Sequence, residues 1–474
     1  MNVDPLYDSA TELLGRFRRL EATPTEVLQA QLRRVDEAGD QINAVTERMD
    51  ESALEAAEAA TRRYRDGNPL PLDGLTVAVK EKHAIAGHHI CEGSSAWDGY
   101  TPTENHPIVD RLLAAGAVLH LRTTEPEFCV ATYTHTKMWG VTRNPWNLEM
   151  SPGGSSGGAA AVLAAGMTTV STASDIGGST RGPAGFTGTV GYKSPYGRVP
   201  GTGAMSLDYY RGDGSLTRTV DDSLLITNVI AGHDPRDHVS LPKTQLRADR
   251  DVSGMRIAFS PDLDLFQVDP VQRENARATV DALAKTGAQI EEVRVGWEME
   301  DLFLAVVAHF GQSMSSWLSQ TVQGREDELN DYTAAYLELT STGRNTMTMF
   351  DAMRGEHAVH QALSRAMHGF DALICPTAAA IGFPAGDTMK DGIEINGSTV
   401  DSTFALLTLP FNIANRCPVL NVPSGFAANG MPTGVQIVGQ PYDDDTVFSV
   451  GRALEEIQGP LFASHRPRLT PTLP

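Results

Sequence analysis

Between Met150 and Ser174 the chain runs for 25 positions without a charged side chain, and most of those positions are Gly, Ala, Ser or Thr. Gly and Ser at this density do not make a membrane span, so the pattern predicts a buried small-residue unit. The loop PGGSSGG at 152–158 leads into a helix over Ala159 to Gly166 and a strand over Thr168 to Ala173, with the tight loop DIGGSTRGP behind it. Burying such a unit takes core material. Of the 474 residues 41% are apolar and 20% charged, which supplies a sizeable core and rules out a disordered chain.

Elsewhere the sequence alternates helix and strand signals. Thr23, Pro24 and Glu26 spell a capping box with Pro at the first helical position, and a charged, alanine-rich helix is expected over Asp50 to Arg65. The apolar run Leu75 to Val79 reads as a strand ending in Lys80, Pro107 to Ala115 as a helix and Ala117 to Leu121 as a strand. Further strands are expected in MRIAFS, AQIEEVRV, Asp371 to Pro376 and Val435 to Val438. Helices are expected over Val220 to Ile230, PVQRENARATVDALAKTG, most of Ala305 to Glu338, Thr346 to Met367, Phe404 to Ile413 and Asp444 to Ile457. This order predicts an α/β fold with a large buried sheet. No repeat and no compositional break appears. The expected organisation is an N-terminal helical segment over 1–70 packed on a single α/β/α domain over 71–465, in which 235–370 is a more variable helical and substrate-loop region.

With 38 Lys and Arg against 59 Asp and Glu the formal net charge is −21, and there is no basic run. That argues against nucleic-acid binding and, more weakly, against a polyanionic substrate, since a small pocket can differ in sign from the surface. The cysteines at 91, 129, 375 and 417 form no CxxC pair, so free thiols in a reducing, cytoplasmic compartment are expected. The N-terminus lacks the apolar core of a signal peptide.

The glycine-rich loops do not match phosphate binders. PGGSSGG is followed by Ala159 and Ala160 where a P-loop needs its Lys, and the strand–GxGxxG–helix pattern is absent. Gly153 to Gly157 spells GxSxG, but no histidine is placed to serve Ser155. Among 13 histidines there is no HExxH, so no metal is expected. What remains is Lys80, which alone reads as a snorkelling or salt-bridged lysine beside Glu81, and Ser179 after two glycines. Consecutive glycines let backbone N–H groups converge on one point, and a serine beside such a nest has the arrangement of an acyl nucleophile and its oxyanion hole.

Together PGGSSGG, SDIGGSTRGPAG at 174–185, GYKSPYGRVP at 191–200, VAVKE at 77–81 and the C-terminal PSGFAANGMPTGVQIVGQPYDDDTVF resemble the amidase signature family of serine hydrolases. The resemblance runs in patches over residues 20 to 460. It covers the spacings Lys80 to Ser155 and Ser155 to Ser179, and implies that family's fold, a large mixed sheet with helices on both faces. It also implies Ser179 as nucleophile, Ser155 on a cis Gly154–Ser155 peptide as proton relay, and Lys80 as general base. The N–H groups of Ile176, Gly177 and Gly178 would form the oxyanion hole, with Gly154, Ser156, Asp175 and Arg181 in support. A lysine acts as a base only when neutral, so burial and hydroxyl neighbours would have to lower its pKa from about 10.4. No cofactor is implied. Thr180 and Gly182 replace larger apolar residues usual in the family, and Lys82-His83 stands where it often has Asp with a polar neighbour.

Candidate pocket residues are Cys129, Tyr133, Met138, Trp139, Tyr209, Phe310 and Trp317, with Tyr210 beside them; ordinary core packing is the alternative for each. The aromatic and methionine content points to a stand-alone amidohydrolase of small, largely uncharged aryl or aliphatic amides, with carbamates and esters in reach. The partners expected are then a small amide and water, no nucleic acid and no membrane, with a homodimer common among relatives. Three alternatives stay open: a nylon-type oligoamide or urethane hydrolase, a glutaminase or amidotransferase A-type subunit, and a non-catalytic binding subunit.

Overall fold

The computed structural model describes residues 5–469. Its centre is a mixed sheet of eleven strands. From one edge the order is Val45–Arg48, Val118–Thr123, Thr76–Lys80, Val170–Asp175, Gly212–Thr217, Val190–Lys193, Val419–Phe426, Pro432–Gly439, Ala372–Pro376, Arg256–Phe259 and Gln289–Glu292. Thr76–Lys80 runs parallel to both Val118–Thr123 and Val170–Asp175, which brings Lys80, Ser174 and Asp175 to one edge of the sheet. In open α/β sheets the carboxyl ends of parallel strands are where binding crevices form.

Both faces of the sheet are covered, and the side-chain period of two shows it. Along Ala372–Pro376, Ala372 and Ile374 enter one core cluster while Leu373 and Cys375 enter another. Ile257 and Phe259 alternate with Ala258 in the same way. The helices Pro270–Ala284 and Asp444–Gln458 add Ala276, Val280, Val447 and Phe448 to the first of these clusters. The helices Met299–Gln312 and Met349–Ala366 add Leu302, Ala305, Val359 and Leu363 to the second.

Local chemistry sets several boundaries. Thr23 caps Pro24–Ile42 by accepting the Glu26 N–H while Glu26 reaches back, as the sequence signals. Ser9 and Glu12 form a second capping box, not foreseen, at Ala10–Arg18. The N-terminal segment is not helical throughout: Val45–Arg48 pairs antiparallel with Val118–Thr123 and forms one edge of the main sheet. The expected helix over Phe404 to Ile413 also needs correction. Phe404 ends a short 3-10 turn, Leu406 bridges to Ala378, and only Pro410–Ile413 is α-helical. The apolar run Leu406–Leu409 is buried without helical periodicity. Strands Val190–Lys193, Gly212–Thr217 and Val419–Phe426 were not anticipated. No helix among the described residues is long and apolar enough to cross a membrane.

Candidate active site

The uncharged segment folds as its composition suggests. Gly157–Ala164 is a fully buried helix and Val170–Asp175 a fully buried strand. Small side chains let the helix lie close to Thr76–Lys80, which carries Lys80 into the same interior. Lys80 is fully buried. Its Nζ donates to Ser155 Oγ at 2.7 Å, Ser174 Oγ at 3.0 Å and Ser156 Oγ at 3.1 Å. The Gly154–Ser155 peptide is cis. A Cβ on Gly154 would lie 2.6 Å from Tyr133 O and 2.7 Å from Ala131 O, so glycine is required by backbone on both sides.

Ser179 sits on the turn after Val170–Asp175, and Ser156 N donates to Ser179 O at 3.1 Å, tying the two serine loops together. Ser155, Ser174 and Ser179 line one cavity of about 250 Å³. Asp175 organises the turn from beneath. Its carboxylate accepts from Arg181 Nη2 at 2.9 Å, Arg181 Nε at 3.0 Å, Asn412 Nδ2 at 2.8 Å and Thr180 N at 3.1 Å. Burial pushes this carboxyl up, but the Arg181 charge and these hydrogen bonds outweigh it and hold the pKa at about 2. Arg181 also donates to Thr408 O at 3.0 Å and Gln436 Oε1 at 2.7 Å. Thr408, Asn412 and Gln436 are supporting residues that sequence reasoning missed, although Gln436 lies inside the C-terminal stretch that carried the resemblance.

One expected oxyanion donor is engaged elsewhere. Gly178 N donates to Asp175 Oδ1 at 2.8 Å, whereas the Ile176 and Gly177 N–H groups have no acceptor among the described residues. Gly178 has φ of 123°, a backbone conformation that favours glycine, and a Cβ there would collide with the Thr408 side chain.

The pocket expectations divide. Cys129 and Trp317 line the cavity. The other five do not. Tyr133 donates to Thr388 O at 2.6 Å and packs in the core, and Tyr209 donates to Glu356. Phe310 packs edge-on to Tyr210, whose hydroxyl also donates to Glu356. Met138 is exposed, and Trp139 packs by Gly93. The walls missed are Trp97, Tyr100, Met205 and Met314, with Lys82, Glu92 and Arg211 as charged members. Only Lys82 had a signal, as a departure from the family pattern.

Three acids crowd the region behind Lys80. Glu125 is fully buried with its nearer oxygen 3.8 Å from Lys80 Nζ, and burial raises its pKa despite that lysine. Burial, then Glu125, push Glu81 up to about 8. Glu92, Glu125 and Cys129 bring ligand-type atoms together, as do His83, His106 and Asp213. In the second group both Asp213 oxygens accept from Arg211, and His106 Nδ1 accepts the Ile108 N–H, which leaves the ring proton on Nε2. That set is arranged for hydrogen bonding, not for metal ligation.

A buried lysine cradled by serines, a second serine on a glycine turn and an aspartate–arginine anchor define a chain of the amidase signature class. The family model described as Amidase matches residues 26–448, and the chain belongs to that family. It is 32% identical over 467 residues to the A-type subunit of glutamyl-tRNA(Gln) amidotransferase from Chloroflexus aggregans, covering 92% of this chain and 93% of that protein. It is 32% identical over 489 residues to the protein of the same name from Salinispora arenicola, covering 95% and 97%. Among solved structures, a bacterial aryl acylamidase of the amidase signature family superposes with a TM-score of 0.89 at 25% identity, covering 98% of this chain and 99% of that one. These matches correct the expectation of a chain whose partners are only a small amide and water, with no nucleic acid and at most a second copy of itself. The relatives matched over nearly their whole length carry the name of one component of a glutamyl-tRNA(Gln) amidotransferase.

Proposed function

We propose that this chain cleaves amide C–N bonds by acyl transfer to Ser179 Oγ, and that it does so as an A-type amidotransferase subunit that frees ammonia from an amide donor. The chemistry rests on one observation: Lys80 Nζ lies 2.7 Å from Ser155 Oγ in a hydroxyl cradle of which Ser155 and Ser174 share a cavity with Ser179. The step requires Lys80 in its neutral form, with the 2.7 Å contact to Ser155 reversed so that Nζ accepts; Lys80 then takes the Ser155 proton as Ser155 takes that of Ser179, and Ser179 Oγ attacks the amide carbon. The Ile176 and Gly177 N–H groups are directed to the oxyanion. The Lys80 ammonium returns its proton through Ser155 to the departing amine, leaving an ester on Ser179, and water repeats the cycle to release the acid and regenerate the serine. The amidotransferase reading is supported by the names of the relatives at 32% identity.

A second reading, hydrolysis of small aryl or aliphatic amides, is supported by the Trp97, Tyr100 and Trp317 walls and by the likeness to the aryl acylamidase. The test is product release from glutamine, 4-nitroacetanilide and a linear aminohexanoate dimer by wild type and Ser179→Ala, with mass spectrometry after a fluorophosphonate. Wild type is expected to gain one phosphonyl adduct on Ser179 and to turn over at least one amide, and the variant to do neither. Glutamine turnover that rises on adding the cognate partner proteins supports the amidotransferase reading. Equal rates in wild type and variant overturn the nucleophile.

A further inference from the structure

We propose that Lys82 forms an anion subsite beside the two serines, so that the amide accepted by this cavity is that of an acid carrying a second, free carboxylate. This inference deepens the acyl-transfer reading above and rests on it for the identity of the reacting serine. Lys82 stands two residues beyond Lys80, yet the two lysines differ completely in surroundings. Lys80 is spent on three hydroxyls. Lys82 lines the cavity together with Ser155 and Ser179 and makes no hydrogen bond or ion pair among the described residues.

The other charged groups of the wall are accounted for. Arg211 is held on both oxygens of Asp213, at 3.0 and 2.9 Å. Asp175 is neutralised by Arg181. His106 is kept neutral by burial, which pushes its pKa well below the usual value. Glu92 lies on the wall, and its carboxylate approaches Glu125 and the Cys129 sulfur. The charge of Lys82 is maintained. Burial opposes it, but Cys129, Glu92 and Glu125 outweigh burial and Arg211, and the pKa is raised.

Lys82 is half-buried on the cavity wall, and although Glu92 and Glu125 favour its charge, no carboxylate among the described residues lies within ion-pair distance, so a ligand carboxylate would supply its direct partner. A single uncommitted cation fits a monoanion. Glu92 on the same wall disfavours a phosphate or any group that brings a second negative charge. Trp97, Tyr100 and Trp317 offer apolar surface for a methylene spacer between that carboxylate and the scissile amide. The substrate class is therefore the ω-amide of a short dicarboxylic acid or of a molecule containing that unit.

The experiment measures binding rather than turnover. Ser179→Ala protein is titrated calorimetrically with succinamate, with glutaramate, and with valeramide, the uncharged counterpart of glutaramate. The expected result is about tenfold or greater preference for the better of the two anions, a preference that weakens with added salt. It should largely vanish in Ser179→Ala/Lys82→Met and persist in Ser179→Ala/Lys82→Arg, with circular dichroism checking that each variant folds. Valeramide binding as tightly as both anions overturns the proposal, as does a preference that survives Lys82→Met. If Lys82→Met does not fold, loss of the preference in Lys82→Arg, or no effect of salt, overturns it. Turnover that persists in Ser179→Ala, or wild type that cleaves no amide, with the binding preference intact would instead count against the acyl-transfer reading alone, so the two failures are distinguishable.

Discussion

Removing the arginine beneath the serine turn should destabilise the protein in a manner that depends on pH. Asp175 is fully buried, and its carboxylate takes two hydrogen bonds from Arg181, at 2.9 and 3.0 Å. Its pKa of about 2 lies below the ordinary aspartate value, so ionised Asp175 stabilises the fold above about pH 4, and that contribution is lost as pH falls through 2. The difference from an unfolded value of about 3.9 corresponds to roughly 2–3 kcal/mol. In Arg181→Met the charge that outweighed burial is gone, so the carboxyl pKa rises above its ordinary value. Ionisation then opposes folding, and the deficit grows by about 1.4 kcal/mol for each pH unit until the new pKa is reached. Stranding one member of a buried ion pair costs about 3–5 kcal/mol. For a chain of this length that is a fall in Tm of about 3–5 °C near neutral pH. Thermal unfolding followed by tryptophan fluorescence at pH 4.5, 6, 7 and 8 reads the effect directly. A deficit of the same size at every pH would refute the assignment of the loss to an unpaired Asp175, leaving lost packing and lost bonds to Thr408, Asn412 and Gln436.

Three further outcomes are expected. Gly154→Ala places a methyl against Tyr133 O and Ala131 O, backbone atoms that cannot rotate away, so a cost of about 1–3 kcal/mol in urea unfolding and loss of fluorophosphonate labelling at Ser179 should appear together. Glu125→Met removes a buried carboxyl that makes no hydrogen bond; because burial raises its pKa, its ionisation opposes folding as pH rises, so the variant's gain in Tm should be larger at pH 8 than at pH 5. Burial opposes the charge of His309, but Asp208 at 2.9 Å and Glu356 at 3.3 Å raise its pKa to about 9, so its stabilisation is complete below about pH 6.5 and lost through pH 9. His309→Gln should cost about 3 kcal/mol at pH 6 by urea unfolding and little at pH 10.

Much of this architecture was legible because short-range chemistry dictated it. Thr23, Pro24 and Glu26 announce a helix start that the structure reproduces atom for atom, and the uncharged stretch could only be interior. The failures share a different cause. The strand Gly212–Thr217 begins Gly-Asp-Gly, a turn signal by composition, yet it pairs with neighbours on both sides because Asp213 finds Arg211 within the same interior. Leu406–Leu409 has the apolar content of a helix, but Thr408 is spent on the serine turn, donating to Gly177 O at 2.7 Å. Such a contact spans more than two hundred positions, and no local pattern encodes it. The pocket failed for the same reason. Tyr133 and Trp317 look alike in sequence, an aromatic beside small residues, and only the packing of distant helices sends one into the core and the other onto the cavity wall.

The net charge of −21 is the feature that most misdirects a reading of substrate. It suggests a surface unfriendly to anions, but surface charges are screened over about 8–10 Å at physiological salt, whereas a ligand in the cavity meets its walls at contact. Inside, pairing decides the sign. Arg211 is cancelled by Asp213 and Asp175 by Arg181, and burial raises the pKa of Glu81 and Glu125, so the acids behind Lys80 carry less charge than their number suggests. Lys82 remains as an uncommitted cation, with Glu92 on the same wall as the charge that limits what it will accept. A neutral aryl amide would fill the aromatic side and leave Lys82 to water. An amide bearing a carboxylate would use both, and its preference over the neutral one is the quantity that distinguishes an amino-acid-like donor from an anilide.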